Sequence, residues 1–173
     1  VKGVDDSFAD LTHITEILYG DGRFELQTAN LQFGVPGIRL AQTLGTGTQW
    51  KDYLHVYAPQ REGQLDMSNA QDGFVVDSLL SPGVVFSVNP GKYDKDHILT
   101  SLGFAQNLFG QQGMVSAIEF RLKPNADLDA VKKQMQQIGG GKYLVEDRYE
   151  QQHDTFKIMQ IEKLMAYIFL TFI

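Results

Sequence analysis

Met114-Val115-Ser116-Ala117-Ile118-Glu119-Phe120-Arg121-Leu122 runs through Lys123 into Pro124-Asn125-Ala126-Asp127, and Leu128, Val131, Met135 and Ile138 then recur at helical spacing. In the first segment Ile118, Phe120 and Leu122 alternate with Glu119 and Arg121, the period of a half-buried strand. In the second the apolar residues form one stripe, opened by a Pro-Asn-Ala-Asp start signal and closed by Gly139-Gly140-Gly141. Tyr143-Leu144-Val145 reads as a return strand. The spacing therefore predicts a β-α-β unit and places the chain among α+β folds.

Upstream of this unit the elements are shorter. Val1 to Val4 reads as the end of a strand, and Asp5-Asp6-Ser7 as a turn or helix cap. Phe8, Leu11, Ile14, Ile17 and Leu18 predict a helix over residues 8–19, ended by Gly20-Asp21-Gly22. Phe24 to Gln27 alternates as a short strand would. Ile38, Ala41 and Leu44 share a helical face with Gly45 placed to cap it, and residues 53–57 read as a strand. There Leu54 and Val56 should be buried, with Tyr53, His55 and Tyr57 opposite. Phe74-Val75-Val76 and residues 79–88 are strand-like apart from Ser81-Pro82-Gly83, which suggests a bulge or an edge. His97 to Thr100 reads as a strand and residues 101–109 as a helix with Ser101 as its cap. Residues 59–73 are mostly polar and without period, carrying Leu65 and Met67 as isolated apolar side chains; a connection of this kind is usually functional or disordered.

The 173 residues suffice for one core or two small subdomains. Hydrophobic residues make up 43% and charged ones 21%, the balance of a folded domain. A net charge of −6 argues against a nucleic-acid surface, which needs clustered Lys and Arg. The absence of cysteine excludes disulfides and thiolate metal sites. No signal peptide opens the chain, which begins as if inside an element and reads as an excised fragment.

No catalytic apparatus is legible. His13, His55, His97 and His153 have no histidine partner at i+3 or i+4, and read as isolated surface or strand residues rather than metal ligands. Asp66, Asn69 and Asp72 lack the spacing and the terminal Glu of a calcium loop. No phosphate-binding glycine loop or nucleophile elbow is present. The carboxylate pairs Asp5/Asp6 and Asp94/Asp96 could serve acid–base catalysis only inside a concave site; in the loops of an acidic protein they are more often solvated. No cofactor or metal is implied.

The chain closes on an amphipathic helical pattern from Phe156 that turns apolar on every side from Leu164 to Ile173. The uncharged run falls short of the roughly 20 residues a span needs, so it is either a core helix or the start of a membrane span.

Residues 161–173, with the acidic Glu162 and Lys163 ahead of a Met-containing apolar run, resemble the start of the second transmembrane helix of LolC/LolE-type lipoprotein-releasing permeases. Three further stretches agree in order: Val1-Lys2-Gly3-Val4-Asp5; Gly37-Ile38-Arg39-Leu40-Ala41-Gln42-Thr43-Leu44-Gly45; and Val84-Val85-Phe86-Ser87, Tyr93-Asp94, Ile98 to Leu102 and Phe104 to Phe109, similar to the family's strand–strand–helix. The wider group is the FtsX-like/MacB-like permeases. The resemblance implies a porter-like α/β membrane-proximal part (residues 1–30 and 113–150), an inserted β-rich Sabre-like part (31–112) and the start of a transmembrane helix (151–173), as in the MacB-like periplasmic core domain.

What the resemblance implies in function is a periplasmic domain, on the outer side of the inner membrane, of a permease that extracts lipoproteins. It would bind and transmit movement without catalysis. The implied partners are a cytoplasmic ATPase subunit, a second permease subunit or a second copy, the lipoprotein substrate, the membrane and a periplasmic carrier of the LolA type. The carrier would meet the 59–73 stretch, with Arg61, Leu65 and Met67 as contact residues; this stretch has no proline in its interior, unlike the family's carrier-docking hook. A LolE-like face, a loop without a partner or a disordered segment stays open at this position. Ile158, Ile161, Met165 and Phe169 would form an acyl-chain surface near the membrane, or pack against neighbouring helices. A MacB-like efflux or FtsX-like signalling domain shares the architecture, and a soluble acidic hydrolase is the reading from a different class.

Overall fold

The computed structural model describes residues 1–60, 73–152, 163 and 170. In chain order its strands are β1 (Lys2–Val4), β2 (Leu18–Tyr19), β3 (Gln27–Thr28), β4 (Leu31–Gln32), β5 (Val35–Pro36), β6 (Leu54–Pro59), β7 (Phe74–Leu79), β8 (Val85–Phe86) and β9 (Ile98–Ser101). The helices are α1 (Phe8–Thr12), α2 (Ile38–Leu44), α3 (Leu102–Leu108) and α4 (Leu128–Gly139). The fold is α+β with small sheets, and the chain divides into one unit over Val1–Glu119 and a second over Phe120–Ile173.

In the first unit β9 lies between β1, which runs parallel to it, and β5, which runs antiparallel. All of its residues are buried, as the apolar run Ile98-Leu99 and the small hydroxyls of Thr100 and Ser101 permit. Leu99 belongs to a cluster with Val4, Ile14, Val35, Val84 and Phe86. Its neighbour Ile98 belongs to another, with Ala58, Leu79, Phe104 and Leu108. Successive side chains of a strand point to opposite faces, so this one strand supplies both cores. The chain then turns directly into α3, whose first turn is capped by Ser101: its Oγ accepts from the Phe104 N–H at 3.1 Å and donates to Gln32 Oε1 at 2.7 Å. Gly3 lets β1 lie close on α3, since a Cβ there would meet the Ala105 Cβ at 2.4 Å.

Several sequence expectations appear as elements. β1, α2 with Gly45 as its left-handed cap, β9 and α3 stand where the pattern puts them. Residues 8–19 do not form one helix. α1 stops at His13, which takes a left-handed conformation, and Ile14–Ile17 continue as a 3-10 turn that buries Ile14. Leu18 and Tyr19 then pair with Phe86 and Val85. The spacing of three in this stretch fits the 3-10 period as well as the α-helical one, and the pairing with β8 decides between them. Of the strand expected from Phe24, the ladder forms only at Gln27–Thr28; Phe24 and Leu26 instead pack on the Val35 cluster.

The larger correction concerns residues 114–145. The helix forms, with Asp127 Oδ1 accepting from the Ala130 N–H at 3.1 Å, but no strand is assigned over 114–122 or 143–145. Ile118 is 70% exposed and Phe120 65%. Alternation states which face a strand would bury; it does not supply the partner whose ladder makes the strand. Within the second unit no described residue is buried, and Ile138 at the end of the helical stripe is 88% exposed. The porter-like β-α-β reading therefore rests here on its helix alone. Among the described residues no helix is long and apolar enough to cross a membrane, and the membrane-span reading of 151–173 falls mostly outside them.

The contrast in burial predicts a contrast in stability. Phe104→Ala, at a site 2% exposed, should cost about 3–5 kcal/mol. Ile138→Ala should stay within about 0.5 kcal/mol. Urea unfolding followed by circular dichroism measures both, and equal costs would contradict this placement of the core.

Candidate functional site

β6 and β7 form the longest ladder among the described residues, paired from Leu54↔Leu79 to Pro59↔Phe74 and continued by the Gln60 N–H donating to Gly73 O at 2.8 Å. The alternation in Leu54-His55-Val56-Tyr57-Ala58 fixes which face turns inward. Leu54, Val56 and Val75 pack on the cluster of Ala58, Leu79, Ile98, Phe104 and Leu108. The other face carries the pairs His55↔Ser78, Tyr57↔Val76 and Pro59↔Phe74. His55 Nδ1 lies 2.8 Å from Ser78 Oγ, while Tyr57 is 62% exposed and Phe74 42%. Trp50 braces the far end by donating Nε1–H to Leu79 O at 3.4 Å. The hairpin is thus anchored by one face and presents an aromatic and aliphatic strip on the other, at the base of the 59–73 stretch.

The residues expected from sequence to contact a partner, Arg61, Leu65 and Met67, lie outside the described residues. So do Ile158, Ile161, Met165 and Phe169. What the structure does place is the stem of the 59–73 stretch, with Tyr57, Phe74 and Val76 on its outer face. The alternation in the sequence already sets Tyr57 on the face opposite Leu54 and Val56, and an aromatic on a solvent face is itself a pointer.

The carboxylates resolve differently from a catalytic pair. Asp94 is fully buried. Its Oδ1 accepts from the N–H groups of Val88 at 2.9 Å and Asn89 at 3.0 Å, and its Oδ2 from Ser87 Oγ at 3.0 Å. Its backbone carbonyl accepts from the Leu40 N–H at 2.8 Å, and a Cβ on Gly37 would meet that same oxygen at 2.4 Å. Asp94 is a clamp joining the loop before β9 to the start of α2. Asp96 is exposed beside Lys95 at 3.7 Å. Of the histidines, His97 has a buried Nδ1 without a hydrogen-bond partner, and its ring stands edge-on to Tyr93 at 5.5 Å. Among the described residues no group of three or more His, Asp or Glu is placed to hold a metal ion.

In the second unit Lys132 is held by Asp147 at 3.8 Å and by Glu150. Asp147 Oδ1 accepts from the Glu150 N–H at 2.9 Å and from the Tyr149 N–H at 2.7 Å, while Glu150 Oε2 accepts from the Asp147 N–H at 3.0 Å. This reciprocal pattern is a capping box, opening the 3-10 turn Glu150–Gln152. The Asp-x-x-Glu spacing signals it in the sequence. The N–H of Glu150 holds the Asp147 carboxyl below the usual range, and the Lys132 hydrogen bond does the same for Glu150 and raises the ammonium in return. An open depression beside them is lined by Gln136, Leu144, Val145 and Glu146.

The chain matches no protein-family model, and comparison with curated proteins and with solved structures gives no match either.

Asp94→Asn replaces an acceptor-only oxygen with a donor facing N–H or O–H groups, and should cost about 2–4 kcal/mol, read as a lowered urea midpoint. An unchanged midpoint would remove the clamp. The Asp147–Glu150 turn has its own pH window. Lowered carboxylate values contribute stability above their unfolded values, lost as pH falls through the folded ones; the raised Lys132 contribution is lost only as pH rises through its own. The amide resonances of Asp147 and Glu150 should therefore hold from about pH 5 to about pH 10 and move toward random-coil positions in stronger acid. Movement already near neutral pH would contradict the ion-paired turn.

Proposed function

We propose that this chain is the extracytoplasmic domain of a LolC/LolE-type permease and that it binds and transmits movement rather than catalysing a reaction. The observation that carries the proposal is the β6–β7 hairpin, whose outer face offers Tyr57, Phe74 and Val76 at the stem of the stretch where the resemblance puts a carrier hook. Aromatic side chains on an exposed strand face are costly to leave wet and are favoured anchors of protein interfaces. The resemblance also falls on elements of the expected kind: its first motif on β1, its helix on α2, and its strand–strand–helix on β8, β9 and α3. The porter-like and Sabre-like parts belong to the same proposal, as do the cytoplasmic ATPase, the second permease subunit, the lipoprotein substrate and the inner-membrane location. Of the carboxylates a hydrolase reading would use, Asp94 is buried with its oxygens accepting from Ser87, Val88 and Asn89, and Asp96 is exposed beside Lys95.

A LolA-type carrier should bind the immobilised chain, and Tyr57→Ala with Phe74→Ala should weaken that binding at least about tenfold, the effect of losing interface anchors. Calorimetry or surface plasmon resonance reads this directly. Absence of binding at carrier concentrations up to about a millimolar, where only about −4 kcal/mol would be needed, would turn the reading toward the efflux or signalling members of the group.

A further inference from the structure

α4 ends in a tight turn that sends its apolar side chains outward. Gly140 and Gly141 both take left-handed conformations, at φ of 55° and 74°, which glycine adopts without strain. The Gly140 N–H donates to Gln137 O at 3.2 Å and the Lys142 N–H to Gly139 O at 3.0 Å, closing the turn. Tyr143 folds back on it, since a Cβ on Gly139 would lie 3.2 Å from the Tyr143 ring. The chain then returns beside the helix, where Leu144 lines the open depression with Lys132 and Gln136. Ile138 is 88% exposed, Leu144 83% and Tyr143 73%, the three most exposed large apolar side chains among the described residues. All three fall within residues 138–144.

The charge of this turn runs against that of the chain. Residues 130–145 carry Lys132, Lys133 and Lys142 and no carboxylate, in a chain of net charge −6. Glu146 is the first carboxylate after the turn, and Asp147 and Glu150 beyond it are engaged by Lys132. Lys133 and Lys142 are exposed on either side of the glycines. Apolar tips beside a tyrosine and lysines suit the boundary of a lipid bilayer: the tips enter hydrocarbon, the phenol hydroxyl stays among the headgroups, and the lysine stems reach the phosphates. A stable protein interface needs about 800 Å² a side, more than one turn offers. We propose that the turn 138–144 inserts Ile138, Tyr143 and Leu144 into the surface of an anionic bilayer, with Lys133 and Lys142 on the lipid phosphates. The inference stands apart from the carrier reading and survives its failure.

Since the chain has no cysteine, a polarity-sensitive fluorophore can be placed on single introduced ones in the full chain. With vesicles of phosphatidylglycerol and phosphatidylethanolamine, labels on Ile138→Cys and Leu144→Cys should shift to the blue and be quenched by brominated acyl chains. A label on Ala130→Cys, about 12 Å back along the helix, should not change. In vesicle flotation I138S/L144S should weaken binding about tenfold or more. K133Q/K142Q should weaken it about threefold or more and remove most of its dependence on anionic lipid and on salt. The substituted positions are exposed, and circular dichroism confirms that each variant is folded. Binding with the labels at 138 and 144 unshifted would assign it to the apolar run 164–173 and overturn the proposal. A label at 138 already shifted before lipid is added would mean that another segment covers the turn, and overturns it as well. So do flotation indifferent to both pairs of substitutions, equal binding to phosphatidylcholine vesicles, and no binding to either.

Discussion

β9 is the constraint that the first unit is built to satisfy. Four successive residues, Ile98–Ser101, are all withdrawn from water. Each carries a backbone donor and acceptor that must be paired once solvent is gone. That requirement calls for a strand on either edge, β1 and β5, and for apolar side chains on either face. Both clusters of the unit are the two faces of this one strand. The hydroxyl of Ser101 then ends the strand and starts α3 in a single residue, so the direction of the helix is inherited from the sheet.

Asp94 delivers the chain to that strand. A buried carboxylate is tolerated because its oxygens accept from Ser87, Val88 and Asn89. With Gly37 against its backbone, the same residue pins the start of α2, and Gly37 N–H in turn donates to His97 O at 2.9 Å. The loop is as fixed as the sheet it feeds. The second unit is organised by other means: its helix is held by an aspartate cap and an ion-paired turn, without a buried side chain among the described residues. Hydrogen bonds and exposed charges can shape a segment, but they contribute little net stability compared with a core.

What the sequence made legible follows from the reach of each signal. Gly45 closing α2, Ser101 opening α3 and Leu54/Val56 facing inward depend on residues within a turn or two of one another, and each reading stands. Whether Ile14–Tyr19 stays helical depends on β8, far along the chain, and no local pattern carries that. Residues 114–122 mislead in the opposite direction, because their alternation is genuine and yet no ladder forms along them. At the candidate site the inward face of β6 was readable, whereas the pairing of Tyr57 with Val76 required knowing that the chain returns after the long polar stretch. The Asp147-x-x-Glu150 box was open to reading but was masked by the polar composition around it.

The ladder geometry also sets how the first unit answers to force. β1 and β9 run side by side in the same direction, from Lys2↔Leu99 to Val4↔Ser101. Tension between Val1 and the start of α3 acts along these strands, in shear, so the rungs share the load and must fail together. Tension drawing Tyr53 from Leu80 meets the β6–β7 hairpin crosswise at its open end, where Leu54↔Leu79 would part first and the rest in succession. One direction through the unit is stiff and the other compliant, so a pull along the first is transmitted and a pull along the second is absorbed.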